Sequence, residues 1–175
     1  MNYCSNCGSD NLEYKIPKDD HRKRIVCEDC GFIFYDNPQI VVGSIPVYNA
    51  KILLAKRGIE PQKGKWNIPA GFLEKGESIE DGAKRETIEE TACEIEKMSV
   101  QSFYYSKSHH LYVFYISILK SNHFETNFES PEIKFFSEDE IPWNDLAFES
   151  NVYALKKYLN ENKDSKDIYF KTEKF

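Results

Sequence analysis

Residues 71–93 read GFLEKGESIEDGAKRETIEETAC, and this acidic segment decides how the rest of the chain is interpreted. From Ser78 the pattern is typical of a helix, because Ser78 can cap the first turn and Asp81 supplies the acidic partner of a capping box. Three glutamates share one face of this helix and form what we call the carboxylate cluster: Glu86, Glu89 and Glu90. Like charges this close repel one another, whereas a hard divalent cation such as Mg²⁺ binds carboxylate oxygens. The acidic segment therefore predicts a metal site on a helix.

The composition is that of a folded domain with an acidic surface. The chain has 175 residues, of which 41% are hydrophobic, and it includes 12 Phe and 11 Tyr, enough to bury a sizeable core. The formal net charge of −6 argues against an extended nucleic-acid surface. A small anionic ligand stays possible, because a metal ion can bridge an acidic site to a phosphate.

No stretch of the sequence indicates export or a membrane. The first ten residues, MNYCSNCGSD, contain neither a basic region nor an apolar run. The longest apolar-rich run, residues 111–119, is far shorter than the roughly 20 residues that a spanning helix needs. Four of the five cysteines stand in CxxC pairs, which suit metal binding in a reducing compartment. We therefore expect a cytoplasmic protein without a membrane partner.

Residues 1–35 are predicted to form a small zinc ribbon. The two CxxC pairs are Cys4 with Cys7 and Cys27 with Cys30, with 19 residues between the pairs. Each pair is followed by a glycine, which accepts the backbone geometry beneath a metal. Four thiolates make a closed tetrahedral site, the usual form of structural Zn²⁺, whereas the alternative is two disulfides or unrelated thiols. The basic residues 21–24 between the pairs are interpreted as a solvated turn or as a contact with a nucleotide or partner.

The turn signal at residues 36–38, Asp-Asn-Pro, sets the boundary to a second unit that is expected to span residues 36–163. Six strands and a final helix capped by Ser150 or Asn151 are predicted in it; the strands are 39–48, 51–57, a short one through 67–71, 100–106, 111–119 and 132–136. A helical turn capped by Ser137 is a further expectation. Residues 164–175 are charged and are expected to be a loosely held tail. Strands interrupted by two helices indicate an α/β fold with a mixed sheet between helices.

Written as a pattern, the acidic segment closely resembles the signature box of the Nudix hydrolases, which cleave nucleoside diphosphates linked to another moiety with Mg²⁺ or Mn²⁺. The first glycine, the four expected glutamates and the arginine are in register. Two positions depart from the pattern: Ala92 replaces a glycine near the helix end, and Thr87 replaces an aliphatic residue, which reads as a packing change. The resemblance implies a Nudix-like α/β/α sandwich with a mixed sheet, preceded by the zinc ribbon.

The resemblance also implies roles for individual residues. The carboxylate cluster would bind one or more divalent ions that contact the diphosphate and activate water, with a backbone carbonyl of Gly71 or Ala70 as a further ligand. Arg85 would orient Glu89 through an ion pair along the helix. Glu77 would support the loop or an outer metal or substrate position. Catalytic roles are thus expected for Glu89 and Arg85.

Residues outside the acidic segment are assigned less directly. A general base is expected from the loop before the 132–136 strand, where Glu129 is the first choice and Glu125 and Glu132 are alternatives; metal-activated water without a separate base is another. Arg57 is a candidate phosphate ligand or a surface ion-pairing residue. Five aromatic side chains could stack on a base or belong to the core: Phe103, Tyr104, Tyr105, Tyr112 and Phe114.

The region that resembles known proteins covers residues 4–93 and is similar to a ribbon-bearing Nudix branch described as ADP-ribose and FAD pyrophosphatases. This resemblance implies hydrolysis of ADP-ribose or FAD to AMP plus a phosphorylated product. The alternatives are an NADH or NAD-cap pyrophosphatase and a non-catalytic nucleotide-sensing module. An SQPWPFP-like motif typical of the NADH branch is replaced here by QSFYYSKSHHLY at residues 101–112. Many members of the family pair, so a homodimer is possible.

Overall fold

A computed structural model of the chain describes residues 1–160 and 167–174. Contacts within the chain divide it into two units, Met1–Asn37 and Pro38–Phe175. The predicted boundary lies two residues before this division. The predicted tail, 164–175, falls partly outside the described residues.

The first unit is a three-stranded antiparallel sheet. Its strands are β1 (Leu12–Lys15), β2 (Arg24–Cys27) and β3 (Ile33–Phe34), in the order β1-β2-β3. The two CxxCG turns have the same backbone hydrogen bond, from Gly8 N to Cys4 O and from Gly31 N to Cys27 O, each at 2.9 Å. Both glycines have positive φ, 77° and 73°, which explains why glycine follows each pair.

The second unit contains one mixed sheet between two helices. Eight strands of the described residues form this sheet: β4 (Gln39–Tyr48), β5 (Lys51–Lys56), β6 (Trp66–Asn67), β7 (Ala70–Phe72), β8 (Ile95–Tyr105), β9 (His110–Leu119), β10 (Glu132–Phe136) and β11 (Tyr169–Thr172). The helices are α1 (Ile79–Thr91) and α2 (Glu149–Asn160), and two 3-10 turns precede α2 (Glu138–Glu140 and Trp143–Asp145). Neither helix in this described part of the chain is long and apolar enough to cross a membrane.

The strand order β10-β5-β4-β9-β8-β11 makes β4 and β9 the parallel pair at the centre. β11 is also parallel to its neighbour β8, whereas β10–β5, β4–β5 and β8–β9 are antiparallel. β6 pairs with β5 and β7 with β4. Asn49 and Ala50 join β4 to β5 with φ of 48° and 60°, the tight hairpin turn that the sequence predicts.

The two helices cover opposite faces of the sheet. Because side chains alternate along a strand, Val113 of β9 packs with Ala83 of α1, whereas Phe114 packs with Leu155 of α2. The layer order is therefore helix, sheet, helix, and the predicted α/β/α sandwich is confirmed.

The polar residue Thr87 sits in the interface between α1 and the sheet. Thr87 is fully buried, and its hydroxyl lies 2.7 Å from Ser44 Oγ, which in turn lies 2.8 Å from Ser117 Oγ. Thr87 Oγ1 also donates to the Ala83 carbonyl at 2.8 Å. The interpretation of Thr87 as a packing change alone is incomplete, because its buried hydroxyl forms a hydrogen-bonded chain with hydroxyls on β4 and β9.

The predicted start of the second helix is wrong. α2 begins at Glu149, so Ser150 and Asn151 lie inside the helix and are buried rather than capping it. The Asn151 side chain donates to Asn67 Oδ1 at 2.6 Å, a partner 84 positions away that the local sequence does not reveal.

The expectation of a loosely held tail is also corrected for its described part. Residues Tyr169–Thr172 form β11 and pair in register with residues 102–105 of β8. Phe170 of this strand stacks on Phe103 with ring centroids 4.8 Å apart. The C-terminal segment is thus an edge strand of the main sheet.

Candidate active site

The loop between β7 and α1 is held where the sequence places the metal site. β7 pairs with β4 through Gly43–Ala70 and Val42–Gly71, and Ser78 Oγ accepts the Asp81 N–H at 3.1 Å to start α1. A β-carbon at Gly71 would collide with the carboxylate of Glu86. Glycine at 71 therefore lets a carboxylate of α1 lie directly against the β7 backbone.

Arg85 connects the loop to the carboxylate cluster. Its Nε and Nη2 donate to the two oxygens of Glu77 at 3.0 and 2.7 Å, while Nη1 donates to Glu86 at 2.6 Å and to Glu89 at 3.1 Å. Nη2 also donates to the Phe72 carbonyl at 3.2 Å. The Arg85–Glu89 pair that the spacing predicts is present, and Glu89 is one of four residues that accept hydrogen bonds from this guanidinium.

Glu77 is the main partner of Arg85. The Arg85 hydrogen bonds, together with one from the Glu74 N–H at 2.7 Å, lower the pKa of Glu77 to about 2. Both carboxylate oxygens are thus engaged within the loop. This geometry fits the expected role in loop support, while a direct substrate contact of Glu77 stays a prediction.

Glu90 is the most deeply placed carboxylate of the cluster. Its Oε1 accepts the Ala70 N–H at 3.1 Å, and its Oε2 accepts from Ser130 Oγ at 3.4 Å. Burial raises the pKa of Glu90 to about 8, a rise that the Ala70 hydrogen bond opposes and the Glu86 charge adds to. Burial therefore disfavours the charged form of Glu90, which a bound cation would stabilise.

The other two carboxylates are more open. Burial raises the pKa of Glu86, although Arg85 opposes the rise, and the Glu89 side chain is 60% exposed. The three carboxylates do not converge as closely as ligands of one ion would, since in the described residues only the four cysteines have all ligand atoms within 4.8 Å of one another. Arg85 bonds Glu86 and Glu89, and the Ala70 N–H bonds Glu90. The oxygen donors, the exposure of Glu89 and the contact of Glu86 with Gly71 fit a hard divalent cation.

The side chain of Asn127 fastens the loop of residues 120–131 to the end of α1. Its Nδ2 donates to the carbonyls of Glu89 and Glu90 at 2.8 and 3.3 Å. Its Oδ1 accepts the N–H groups of Glu129 and Ser130 at 2.9 and 2.8 Å. Sequence reasoning missed Asn127, although an Asn two positions before a candidate base is a recognisable Asx-turn signal.

Glu129 lies next to Ser130, whose Oγ donates to Glu90 Oε2 at 3.4 Å, and its negative charge adds to the raised pKa of both Glu86 and Glu90. The backbone of Glu129 is fixed by the Gly58 N–H, which donates to its carbonyl at 2.7 Å. Of the alternatives, Glu132 is paired with Lys56 at 2.8 Å and Glu125 with His123 at 3.4 Å.

Arg57 packs against the residue that precedes α2. Its Nε donates to the Pro61 carbonyl at 2.8 Å, and its guanidinium carbon is 5.2 Å from the centre of the Phe148 ring. Its charge partly offsets the raised pKa of Glu90 and also that of Tyr112, both of which burial raises. Within residues 1–160 and 167–174 it has no carboxylate ion-pair partner, and its role as a phosphate ligand stays a prediction.

The four cysteines of the first unit meet as the CxxC spacing predicts. Cys4 and Cys30 have their sulfurs 3.7 Å apart, and those of Cys7 and Cys27 are 3.6 Å apart. Tetrahedral zinc with Zn–S bonds of about 2.3 Å requires sulfurs at about this separation. The Phe32 N–H and the Asn6 side chain lower the pKa of Cys30, whereas hydrogen bonds with the other cysteines and burial raise the pKa of Cys7, so without a metal the cluster shares its protons unevenly. The geometry fits Zn²⁺.

Protein-family comparisons agree with both units. The NUDIX domain matches residues 37–157, and the Nudix N-terminal zinc-ribbon family matches residues 2–36. The chain belongs to the Nudix family, and it is a Nudix-type hydrolase with an N-terminal ribbon.

Two named relatives and one crystal structure share sequence similarity with this chain. The chain is 31% identical over 130 residues to an ADP-ribose pyrophosphatase of Methanocaldococcus jannaschii, covering 71% of this chain and 75% of the relative. It is 28% identical over 158 residues to an NAD-capped RNA hydrolase of Schizosaccharomyces pombe, covering 79% of this chain but 41% of that protein. The crystal structure of a Nudix hydrolase from Nitrosomonas europaea has a TM-score of 0.90 and 36% identity, covering 99% of this chain and 100% of that one.

Proposed function

We propose that the protein is a metal-dependent pyrophosphatase that hydrolyses ADP-ribose or FAD to AMP plus a phosphorylated product. The observation that carries the proposal is the buried Glu90 beside Glu86 and the backbone of Gly71, which together offer oxygen donors for Mg²⁺ or Mn²⁺. The M. jannaschii relative, named an ADP-ribose pyrophosphatase, supports the substrate class.

Residues of the acidic segment have two roles in the proposed reaction, metal binding and the orientation of the metal ligands. Glu86, Glu89 and Glu90, with a carbonyl of Gly71 or Ala70, would hold the ion or ions. A bound divalent cation polarises the phosphorus centre, neutralises the leaving phosphate and lowers the pKa of an attacking water. Arg85 keeps Glu86 and Glu89 oriented through its bonds to both and to Glu77.

Residues of two loops would complete the site. Glu129 would accept the proton of the attacking water, and it is held for this by Asn127 and Gly58. Arg57 would bind a phosphate oxygen: its Nε is engaged by Pro61, so the two terminal nitrogens of a pre-oriented guanidinium can donate to it. The ribbon would hold structural Zn²⁺ through Cys4, Cys7, Cys27 and Cys30.

A cytoplasmic location and a homodimer are further parts of the proposal. The first rests on four cysteines suited to zinc in a reducing compartment, and the second on the family resemblance alone. An NADH or NAD-cap pyrophosphatase is the second candidate function, because the S. pombe relative named an NAD-capped RNA hydrolase aligns with 79% of this chain.

A panel of ADP-ribose, FAD, NADH and NAD-capped RNA, assayed with and without Mg²⁺, tests the proposal. The expected result is Mg²⁺-dependent formation of AMP from ADP-ribose or FAD at the highest kcat/KM of the panel. Preferred cleavage of NADH or capped RNA would favour the second candidate. Tight binding of a nucleotide with no turnover of any substrate would overturn the enzyme assignment in favour of a sensor.

A further inference from the structure

A cavity of about 160 Å³ lies in the second unit, and no residue of the acidic segment lines it. Tyr104 of β8, Tyr112 of β9 and Phe148, just before α2, supply its aromatic walls. The rings of Tyr104 and Tyr112 meet edge to face with centroids 6.2 Å apart. Whole drug-sized ligands occupy pockets of roughly 300 Å³ or more, so this aromatic cavity has the size for one part of a larger ligand.

Ser150 gives the aromatic cavity a polar atom in need of a partner. It lines the cavity, it is 2% exposed, and its Oγ is one of two buried side-chain atoms in the described residues that make no hydrogen bond. Ser150 approaches the Tyr112 hydroxyl closely enough to offset part of the pKa rise that burial causes there, without forming a well-shaped bond. Buried hydroxyls are normally satisfied, so an unpartnered one facing a cavity points to a ligand.

The C-terminal strand closes one side of the cavity with a carboxylate. Glu173 accepts hydrogen bonds from the Tyr104 hydroxyl and, at 2.7 Å, from the Lys107 N–H. Its own N–H donates to the Tyr105 carbonyl at 3.0 Å, which continues the pairing of β11 with β8. A carboxylate has about four acceptor positions, so Glu173 can still accept from a ligand amino group. Glu149 is a second carboxylate at the wall.

Arg57 has contacts toward both the aromatic cavity and the carboxylate cluster. Its guanidinium carbon is 5.2 Å from the centre of the Phe148 ring in the cavity wall. The N–H of the next residue, Gly58, donates to the Glu129 carbonyl at 2.7 Å, and the Oγ of Ser130, which follows Glu129, donates to Glu90 at 3.4 Å. A phosphate bound at Arg57 would therefore lie near both the metal site and the aromatic walls. A nucleoside diphosphate has this order of groups: base and ribose, phosphates, then the second moiety.

We propose that the aromatic cavity binds the amino-bearing purine base of the substrate, with Ser150 Oγ bonded to the base and Glu173 accepting from its exocyclic amino group. This inference rests on the proposed function. The partly exposed rings of Tyr112 and Phe148 suit a heterocycle, since nucleic-acid bases stack on aromatic side chains. The C-terminal strand then takes part in substrate choice.

Binding of AMP to the whole protein without added Mg²⁺, measured by calorimetry, tests the assignment independently of turnover. Ser150→Ala is expected to raise the Kd for AMP roughly 3- to 10-fold, the effect of one hydrogen bond. The thermal midpoint without ligand should stay the same or rise, because the substitution removes an unpartnered buried hydroxyl. A structural role for Ser150 would lower that midpoint. The exposed Ser99→Ala on β8 is the matched control and should change neither value.

A second comparison tests Glu173. IMP differs from AMP by carrying an oxygen in place of the exocyclic amino group, so the wild type should prefer AMP and Glu173→Gln should reduce that preference. If Ser150→Ala binds AMP like the wild type and Glu173→Gln keeps the full preference, the cavity assignment is overturned. Mg²⁺-dependent turnover would then still support the proposed function, whereas AMP binding with no turnover would contradict that function and leave the cavity assignment standing.

Discussion

The two candidate metal sites of this protein differ in how ready they are for an ion. The four cysteine sulfurs lie within 4.8 Å of one another, whereas the three carboxylates are engaged by other groups, Glu86 and Glu89 by Arg85 and Glu90 by the Ala70 N–H. The cysteines thus already have the arrangement of a metal site, while the carboxylates have protein hydrogen-bond partners in its place.

The two sites also differ in how much apolar core surrounds them. The ribbon has few buried apolar side chains, among them Val26, so its fold depends on the cross-link that a metal provides. The second unit has large apolar clusters on both faces of its sheet and stays folded without an ion at α1. One site is therefore suited to stability and the other to chemistry.

Of the changes considered, removal of a zinc ligand should have the largest effect, because it should unfold the ribbon. Cys27→Ser is expected to abolish zinc binding and unfold residues 1–37, because structural zinc contributes on the order of 10 kcal/mol. Hydrogen exchange measured by mass spectrometry should show loss of protection in β1–β3. Cys93→Ser, at a buried cysteine outside the cluster, should keep one zinc per chain. Retained protection in Cys27→Ser would contradict the structural role.

Removing a charge from the carboxylate cluster should affect turnover and not folding. Glu90→Gln is expected to lower kcat/KM on the order of 10²- to 10³-fold, since it removes a charge that acts at the reacting centre. Gln is a neutral isostere at a position where burial already favours the neutral form, so urea denaturation without Mg²⁺ should change little. The exposed Glu80→Gln in the first turn of α1 is the control. Unchanged turnover in Glu90→Gln would refute the metal assignment.

Asn127 should have an intermediate effect, through the position of Glu129. Asn127→Ala is expected to lower kcat roughly 10- to 100-fold with little change in KM, as for other residues that orient a catalytic group. Asn127→Asp keeps the acceptor for the Glu129 N–H and loses the donor to the α1 carbonyls, so it should retain more activity than Asn127→Ala. Asn122→Ala, at an exposed Asn of the same loop, should behave as the wild type. A rise in KM with an unchanged kcat would exclude the positioning role.

The smallest expected effect on stability concerns residues with positive φ, one after α1 and two in the ribbon turns. Ala92 ends α1 with φ of 55°, whereas glycines with φ of 77° and 73° fill the equivalent turns of the ribbon. Ala92→Gly should raise the free energy of unfolding of the second unit by roughly 0.5–1 kcal/mol. Gly31→Ala should destabilise the ribbon by a similar amount, because nothing lies within 4 Å of its added β-carbon and only backbone strain acts. Chemical denaturation measures both, and equal signs would contradict the comparison.

Local signals in the sequence predicted the parts that local chemistry controls. The Ser78 cap, the Asn49–Ala50 turn, the 3-10 turn after Ser137 and the CxxCG turns were all recognisable, because each depends on residues a few positions apart. The cap of α2 was predicted wrongly because Asn151 has a better partner in Asn67, 84 positions away. The described part of the tail was misjudged because a strand edge to pair with is not visible in composition.

By itself, the sequence determined the family and predicted both metal sites, because thiols and carboxylates at fixed short spacings need no distant partner to be recognised. Only the tertiary structure decided which other segments meet the acidic segment: Asn127 ties loop 120–131 to α1 and holds the backbone of Glu129. It also placed Arg57 against Phe148, in the wall of an aromatic cavity that includes Glu173. The bonds of Asn127 to Glu89 and of Tyr104 to Glu173 join residues 38 and 69 positions apart, which only chain packing brings together.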